Sequence, residues 1–397
     1  MPASRRLAAA TLVVLAAAAL LGCAAEAPAP ERTPAPIAQP ADPLPPSPEE
    51  LRQARAAEIV DALSTRERVA SVIMSTLPGT DAAALGDFVA GNGIGGLILM
   101  GGNIPADPAA LAGLTAALSP DPTYPTLIAV DEEGGQVVRL PWDGYPGADQ
   151  LRFAAAEETL AAFAARAELL RSAGINVNFG IVADLGTDAN GFIYWRTLGD
   201  TAEEAAPRVA AAVAGEAGSV ASALKHFPGH GAAAGDSHFG VPETPLDPES
   251  WAASHALPFA SGIDAGAELL MFGHLVYSAV DPLPASLSAE WHRIAREDLG
   301  FGGVTVSDDL GMLLDSGLPE YQDLSSNVAR ALAAGADLAL IIRGASLDTL
   351  PPLIDAVAAS IDAGGPSAER LRDAAIRVAE LRLRLGERAA GAGPQTG

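Results

Sequence analysis

The stretch Val220-Ala221-Ser222-Ala223-Leu224-Lys225-His226-Phe227-Pro228-Gly229-His230-Gly231, followed closely by Asp236-Ser237-His238, is a short apolar run that ends in chemistry. Val220 to Leu224 reads as a strand, and the Pro228-Gly229 pair breaks it. Lys225 and His226 therefore stand at a strand's C-terminal end, with Asp236 and His238 on the loop beyond. Lys225 is the only lysine of the chain, and three of its six histidines fall between Leu224 and His238. A turn with ordinary loop polars explains any one of these residues, but not the cluster.

Working outward, further apolar runs at 69–75, 94–100, 126–131, 175–181, 267–274, 302–307 and 337–342 read as buried parallel strands. Ala-rich, helix-compatible segments separate most of them, including 153–173, 201–217, 250–265 and 325–335. Eight β-then-α units predict an α/β fold, a single (β/α)8 TIM barrel. A doubly wound open sheet is the alternative, yet no G-x-G-x-x-G follows the first strand. The barrel domain is expected over 47–386. At its start Ser47 has the form of an N-cap, Pro48 of a first helical residue and Glu50 of a reciprocal cap. At its end Leu371, Ala375, Val378, Leu381 and Leu385 keep helical spacing, Gly386 reads as the stop and 387–397 as a frayed tail.

Before the barrel, Arg5 and Arg6 precede an apolar core from Leu7 to Leu21, the pattern of a secretion signal over 1–22. That core is short for a transmembrane helix. It ends in Leu20-Leu21-Gly22-Cys23, which resembles the lipobox of bacterial lipoproteins, where the signal is cut before a cysteine that then carries lipid. Cys23 is the only cysteine, so no internal disulfide forms, and a lone thiol in an exported chain is explained by lipidation. Residues 23–46, rich in Ala and Pro, read as a disordered tether. The expected location is the cell membrane, lipid-anchored on its extracytoplasmic face.

A hydrophobic content of 49% supports a large core, and a net charge of −25 with a pI near 4.4 argues against nucleic acid as a partner. A monomer is expected.

In a (β/α)8 barrel the C-terminal strand ends form the working face. Polar groups collect there: Asp131-Glu132-Glu133, Asp184, Lys225-His226, His274, Asp308-Asp309 and Arg343. Two features suggest glycoside cleavage. Val304-Thr305-Val306-Ser307-Asp308-Asp309 places a carboxylate at the end of a buried strand, held rigidly enough to attack an anomeric carbon. The proton donor is usually a second carboxyl, but here His238 is the better candidate, since Asp236 two residues earlier can orient it and stabilise its charged form. His226 and His230 have i, i+4 spacing, but Pro228-Gly229 breaks any helix that would align them, so no metal and no cofactor is read. Trp142, Tyr194 and Trp195 offer a sugar-stacking platform, with packing as the plainer explanation.

Lys225 to Gly231 with Asp236-Ser237-His238, then Ser307-Asp308-Asp309-Leu310-Gly311-Met312, resembles the family-3 glycoside hydrolases, more narrowly the bacterial β-N-acetylglucosaminidase (NagZ-like) branch. Val130 to Arg139, Arg196-Thr197-Leu198-Gly199, Met271-Phe272-Gly273-His274 and Pro284-Ala285-Ser286-Leu287-Ser288 fit the same pattern. The resemblance covers about residues 55–345. It implies that Asp308 is the nucleophile and that His238, paired with Asp236, is the acid/base. Asp131 would bind sugar hydroxyls, with Arg139, Arg196, Lys225 and His226 around the same sugar. Asp309 would be a structural carboxylate, and His230 and His274 would shape the site. His255 and His292 read as ordinary helix residues. Two departures stand out: Glu132 occupies a place where the family often has histidine, and the stretch around Tyr194-Trp195-Arg196 is looser than the usual pattern.

The expectation is a retaining exo-β-N-acetylglucosaminidase acting on GlcNAc-containing saccharides or muropeptides from the peptidoglycan cell wall, through a covalent glycosyl-aspartate. One alternative is a phosphorylase of the same family, because a histidine repels phosphate less than a carboxylate does. Another is a catalytically silent wall-binding lipoprotein.

Overall fold

The computed structural model describes residues 45–391. The expected signal segment, Cys23 and nearly all of the tether lie outside the described residues. Eight parallel strands form the centre: β1 (Ile73–Ser75), β2 (Gly96–Leu99), β3 (Leu127–Val130), β4 (Val177–Val182), β5 (Ala221–Phe227), β6 (Leu269–Phe272), β7 (Val304–Ser307) and β8 (Ala339–Ile341). Every residue of these strands is buried. Buried on both faces, they read as unbroken apolar runs instead of alternating ones.

The hydrogen-bonded order is β8-β1-β2-β3-β4-β5-β6-β7. The ring closes between β7 and β8: Val306 bridges Leu338, Ser307 N–H donates to the Leu338 carbonyl at 3.1 Å, and Leu338 N–H donates to the Thr305 carbonyl at 3.0 Å. The sheet is therefore a (β/α)8 barrel. Closure satisfies the backbone groups that an edge strand would leave exposed.

Around the barrel, helices lie where the Ala-rich segments were expected to form them: Ala156–Ser172, Ala202–Glu216 and Leu324–Ala334. The entry helix Pro48–Asp61 has the expected reciprocal cap, with Ser47 Oγ accepting from Glu50 N–H and the Glu50 carboxylate accepting from Ser47 N–H. Three expectations need correction. The run 69–75 is divided, because 69–71 finish the helix Thr65–Ser71 and only Ile73–Ser75 enter the sheet. The segment 250–265 is two helices, Pro248–Ala252 and Ala256–Asp264. Gly386 does not stop the final helix, which runs from Ala368 to Gly391. A Cβ at Gly386 would lie 2.4 Å from the Thr123 carbonyl oxygen, so glycine is there for close packing and not as a cap.

At the N-terminal end of the barrel, buried Asp337 accepts from Thr305 N–H and pairs with Arg296, Arg370 and Arg377. This cluster ties the start of β8 to β7 and to the last helix, away from the mouth.

Candidate active site

Strand ends at the C-terminal side of the barrel bring Asp131, Glu133, Arg139, Arg196, Lys225, His226, His230, His238, Asp308 and Arg343 around one cavity of about 210 Å³. All of the residues expected to handle substrate line it, except Asp236, which stands behind His238. The volume suits a single small group better than a long chain. A larger cavity of about 450 Å³ opens at the opposite end of the barrel, beside Asn176, Ser219 and Arg388, and gathers no comparable set of charged groups.

One wall is a charged lattice. Lys225 Nζ donates to Asp131 Oδ1 at 2.9 Å and lies 2.7 Å from Glu133 Oε1. Arg196 grips Glu133 with two bonds, Nε to Oε2 at 2.9 Å and Nη2 to Oε1 at 2.7 Å, while Arg139 lies 3.5 Å from Asp131. Burial alone would raise the Glu133 carboxyl, but the charges of Lys225 and Arg196 hold it down at about 2. The same carboxylates outweigh the effect of burial on Lys225 and raise its ammonium above the ordinary lysine value. The sequence reading placed Glu133 among the polar groups of the mouth but gave it no role. Its signal was available: at the end of a strand, residues 131 and 133 share a face and 132 takes the other.

Glu132, on that other face, has a structural task. Its Oε2 accepts from Arg139 N–H at 2.8 Å and Leu140 N–H at 3.0 Å, holding the turn that carries Arg139. Burial pushes its carboxyl up to about 8 against these two N–H groups, with Asp143 adding to the rise. Asn178 brackets the same peptide, accepting from Glu132 N–H and donating to the Glu132 carbonyl, both at 3.1 Å.

The β5 loop supplies the histidines. The peptide bonds Lys225–His226 and Phe227–Pro228 are both cis. His226 Nδ1 meets Asp184 Oδ2 at 2.7 Å, and Asp184 also accepts from the backbone N–H of His226 and His230. This buried carboxylate, expected at the mouth but without an assigned role, fixes the start of the loop. Burial would raise it, but the facing His226 and His230 hold it below its usual value. His230 is buried against the edge of Phe192, with ring centres 4.6 Å apart, and its Nε2 meets Ser237 Oγ at 3.0 Å. Burial and the neighbouring His226 push its imidazole down to about 4, so it is neutral at physiological pH.

Ser237 thereby pins the short segment carrying the dyad. Asp236 Oδ1 accepts from His238 N–H at 3.0 Å and meets His238 Nδ1 at 2.6 Å. With Nδ1 engaged, Nε2 is the ring nitrogen available for proton transfer. Partial burial of Asp236 is outweighed by the His238 N–H and ring, which keep it below the usual aspartate value and hence ionised near neutrality.

Opposite, Asp308 follows β7. Its Oδ1 accepts from Asp309 N–H at 2.8 Å, leaving Oδ2 as the freer atom. It lies deep but stays partly open to the cavity. Burial pushes its carboxyl up; His226, His274, the Asp309 N–H and Lys225 together bring it below the usual value. An ionised, poorly hydrated carboxylate is a competent nucleophile. Asp309 instead faces backbone, accepting from the N–H groups of Gly311, Ile342 and Arg343, and so joins the ends of β7 and β8. His274 Nε2 donates to the Asp309 carbonyl at 2.8 Å, and its Nδ1 meets Ser286 Oγ at 2.7 Å.

The aromatics divide. Tyr194 lies under the Arg152 guanidinium at 3.6 Å, which is packing, and Trp142 packs against the core. None of Trp142, Tyr194 and Trp195 lines the cavity; Phe192 does. His255 and His292 are buried outside the site.

Residues 64–381 match the family description "Glycosyl hydrolase family 3 N terminal domain". The chain is 34% identical over 274 residues to a beta-hexosaminidase of Xanthomonas oryzae pv. oryzae, covering 64% of this chain and 78% of that protein. It is 35% identical over 257 residues to a beta-hexosaminidase of Pseudomonas aeruginosa, covering 62% and 75%. Among solved structures, a glycoside hydrolase family 3 beta-N-acetylglucosaminidase from Paenibacillus sp. str. FPU-7 superposes with a TM-score of 0.74 at 31% identity, over 85% of this chain and 65% of that one.

Proposed function

The chain belongs to glycosyl hydrolase family 3 and is a glycoside hydrolase of the β-N-acetylhexosaminidase type; from that premise we propose that it is a retaining exo-β-N-acetylglucosaminidase in which Asp308 and the Asp236–His238 pair perform the chemistry. The observation that carries this reading is the shared cavity: an ionised Asp308, an imidazole oriented by a carboxylate, and a lattice of donors and acceptors line the same space.

The geometry supports a two-step path. The terminal sugar's hydroxyls bind Asp131, Lys225, Arg196, Arg139 and His226, displacing part of their mutual pairing. Asp308 Oδ2 attacks the anomeric carbon while His238 Nε2 gives its proton to the glycosidic oxygen. The aglycone leaves as an alcohol and a glycosyl ester remains on Asp308. His238, now neutral, takes a proton from water, the water attacks the anomeric carbon, and the β-sugar and free Asp308 carboxylate are restored. Asp236 stabilises the imidazolium at both ends of the cycle.

Peptidoglycan-derived fragments are the proposed natural substrates, and Cys23 the proposed site of a lipid anchor on the extracytoplasmic face of the membrane. The N-terminal sequence pattern supports the anchor, and the resemblance to the bacterial β-N-acetylglucosaminidase branch supports the substrate. Replacing Cys23 by serine should move the protein from the membrane to the soluble fraction; unchanged fractionation would remove the anchor. The catalytic reading is tested by supplying an aryl β-N-acetylglucosaminide with and without phosphate. Free GlcNAc released first as the β-anomer, at a rate indifferent to phosphate, is expected. Phosphate-dependent release of GlcNAc-1-phosphate would make the protein a phosphorylase, and no turnover by the folded protein would reject the reading.

A further inference from the structure

Behind the strand end that carries Asp131 and Glu133, a second set of charged groups is closed off from solvent. Glu132 is fully buried, and so are the side chains of Asp143 and Arg166. Arg166, from the helix Ala156–Ser172, donates through Nε to Asp143 Oδ2 at 2.6 Å and through Nη2 to the carbonyls of Tyr145 and Pro146. Asp143 Oδ1 accepts from Tyr145 N–H at 2.9 Å. The guanidinium is thus committed to Asp143, and among the described residues Glu132 forms no ion pair.

Glu132 Oε2 is occupied by the N–H groups of Arg139 and Leu140, but Oε1 is buried with no donor. The Glu132 carboxyl is hydrogen-bonded to that of Asp143. Two carboxyls in contact and away from water keep a proton between them, because the doubly ionised pair is strongly repulsive. Asp143 is ionised against Arg166, so the proton belongs on Glu132 Oε1. There it turns an orphaned acceptor into a donor.

That proton lies one turn from the sugar site. Arg139 lines the cavity, yet its side chain is lightly held: Nη2 is 3.5 Å from Asp131, and Nε is buried without a partner. Its place therefore depends on its backbone, which hangs on Glu132 Oε2. An ionised Glu132 would face Asp143 with nothing between them, and a buried charge of that kind is relieved by admitting water, which means opening the turn.

We propose that Glu132 is a positioning residue for the sugar site: its proton, shared with Asp143, keeps the turn 132–143 closed and Arg139 in place, and loss of that proton releases the sugar. This rests on the reading of Arg139 as a sugar-binding group. The proton is held below a pH of about 8 and lost above it, so sugar affinity is complete on the acid side of that value and falls on the alkaline side. The groups facing Glu132 are Asp143 from its own turn, with Arg166 beyond it, and Asn178 from β4, with Glu216 beyond it. Glu216 is also pushed up to about 8, so the two carboxyls must be separated by experiment.

The test is calorimetric titration of GlcNAc into the native protein and its variants between pH 6 and pH 9. The native Kd should be about tenfold weaker at pH 9 than at pH 7, as when only the protonated form binds. Glu132→Gln keeps an acceptor for the two N–H groups and a donor for Asp143, so it should bind like the native protein at pH 7 and lose the pH dependence. Glu132→Ala should bind about tenfold more weakly at every pH, and Glu216→Gln should keep the native profile. Should the Glu132 variants fold poorly, titrating the native protein at pH 8 in buffers of different ionisation heat gives a separate reading. Uptake of about half a proton per bound sugar is expected there.

A native Kd that stays constant from pH 6 to pH 9 would overturn this proposal and leave the hydrolase reading intact. So would a Glu132→Gln profile parallel to the native one, or absence of proton uptake at pH 8. Loss of the pH dependence in Glu216→Gln alone would assign the effect to that carboxyl instead. GlcNAc that binds at no pH would overturn the sugar site and this proposal together.

Discussion

Single residues carry the sharpest expectations. In the proposed mechanism Asp308→Ala removes the attacking carboxylate and should lower kcat by at least about 10⁴-fold on every substrate. His238→Ala should separate substrates by leaving group: about 10²–10⁴-fold loss on disaccharides, and a far smaller one on aryl glycosides whose phenolate departs unaided. Rates on both kinds of substrate, measured side by side, check this; equal losses would deny His238 the acid role. Glu133→Gln leaves buried Lys225 and Arg196 without their shared carboxylate, at a cost on the order of 3–5 kcal/mol. Because the Glu133 carboxyl is held down at about 2, its stabilisation is present above the ordinary glutamate value near 4.5 and is lost as pH falls toward 2. Melting curves should therefore show the gap between native protein and Glu133→Gln at full width at pH 7 and closing in acid. At this scale the sequence was informative wherever adjacent residues act together, as in Lys225-His226, Asp236-Ser237-His238 and Asp308-Asp309. It was silent where one group serves partners far along the chain. Glu133 meets Arg196 and Lys225, and Asp184 meets His226 and His230, so strand-end position placed both at the mouth while their partners and tasks stayed hidden.

Elements were legible where burial leaves a continuous apolar run, which is why all eight strands were found near their places. The misplacements have local causes. Val69 and Ala70 are buried like strand residues but belong to a helix seven residues long, too short for its periodicity to show. Gly386 follows the rule for a helix stop, yet the Thr123 carbonyl it packs against is more than 250 positions away. Gly386→Ala should keep the final helix, which extends to Gly391, and lose about 1–3 kcal/mol through overpacking; chemical denaturation with circular dichroism would check both halves. Glu216, ending the helix Ala202–Glu216, is joined to Asn178 of β4 at 2.6 Å. Burial pushes its carboxyl up to about 8, so the sign is opposite to that of Glu133. Its favourable contribution is complete below about 4.5 and drains away as pH rises to 8. Glu216→Gln, which keeps the acceptor for Asn178, should gain in melting temperature relative to the native protein as pH rises across that window. A constant difference would show that the carboxyl ionises freely in the fold.

For the whole molecule, the ends of the barrel have separate duties. At the mouth, Asp131, Glu133, Arg196 and Lys225 pair around the cavity; at the base, Asp337 with Arg296, Arg370 and Arg377 joins β7, β8 and the final helix. Asp337→Ala should cost on the order of 3 kcal/mol while KM for an aryl glycoside stays within about twofold, since no base residue lines the cavity. The loop from β5 crosses the mouth to meet Arg343 beyond β8, a contact between positions 105 apart. Only the closed ring brings them together, and strand spacing alone could not announce it. The central claim is that Asp308 becomes covalently glycosylated, and it is tested most directly by peptide mass mapping after reaction with a slow fluorinated β-N-acetylglucosaminide. The expected result is one added sugar on the peptide containing Asp308, absent from Asp308→Ala. An unmodified Asp308 in protein that still turns over substrate, with the α-anomer released first, would contradict the account.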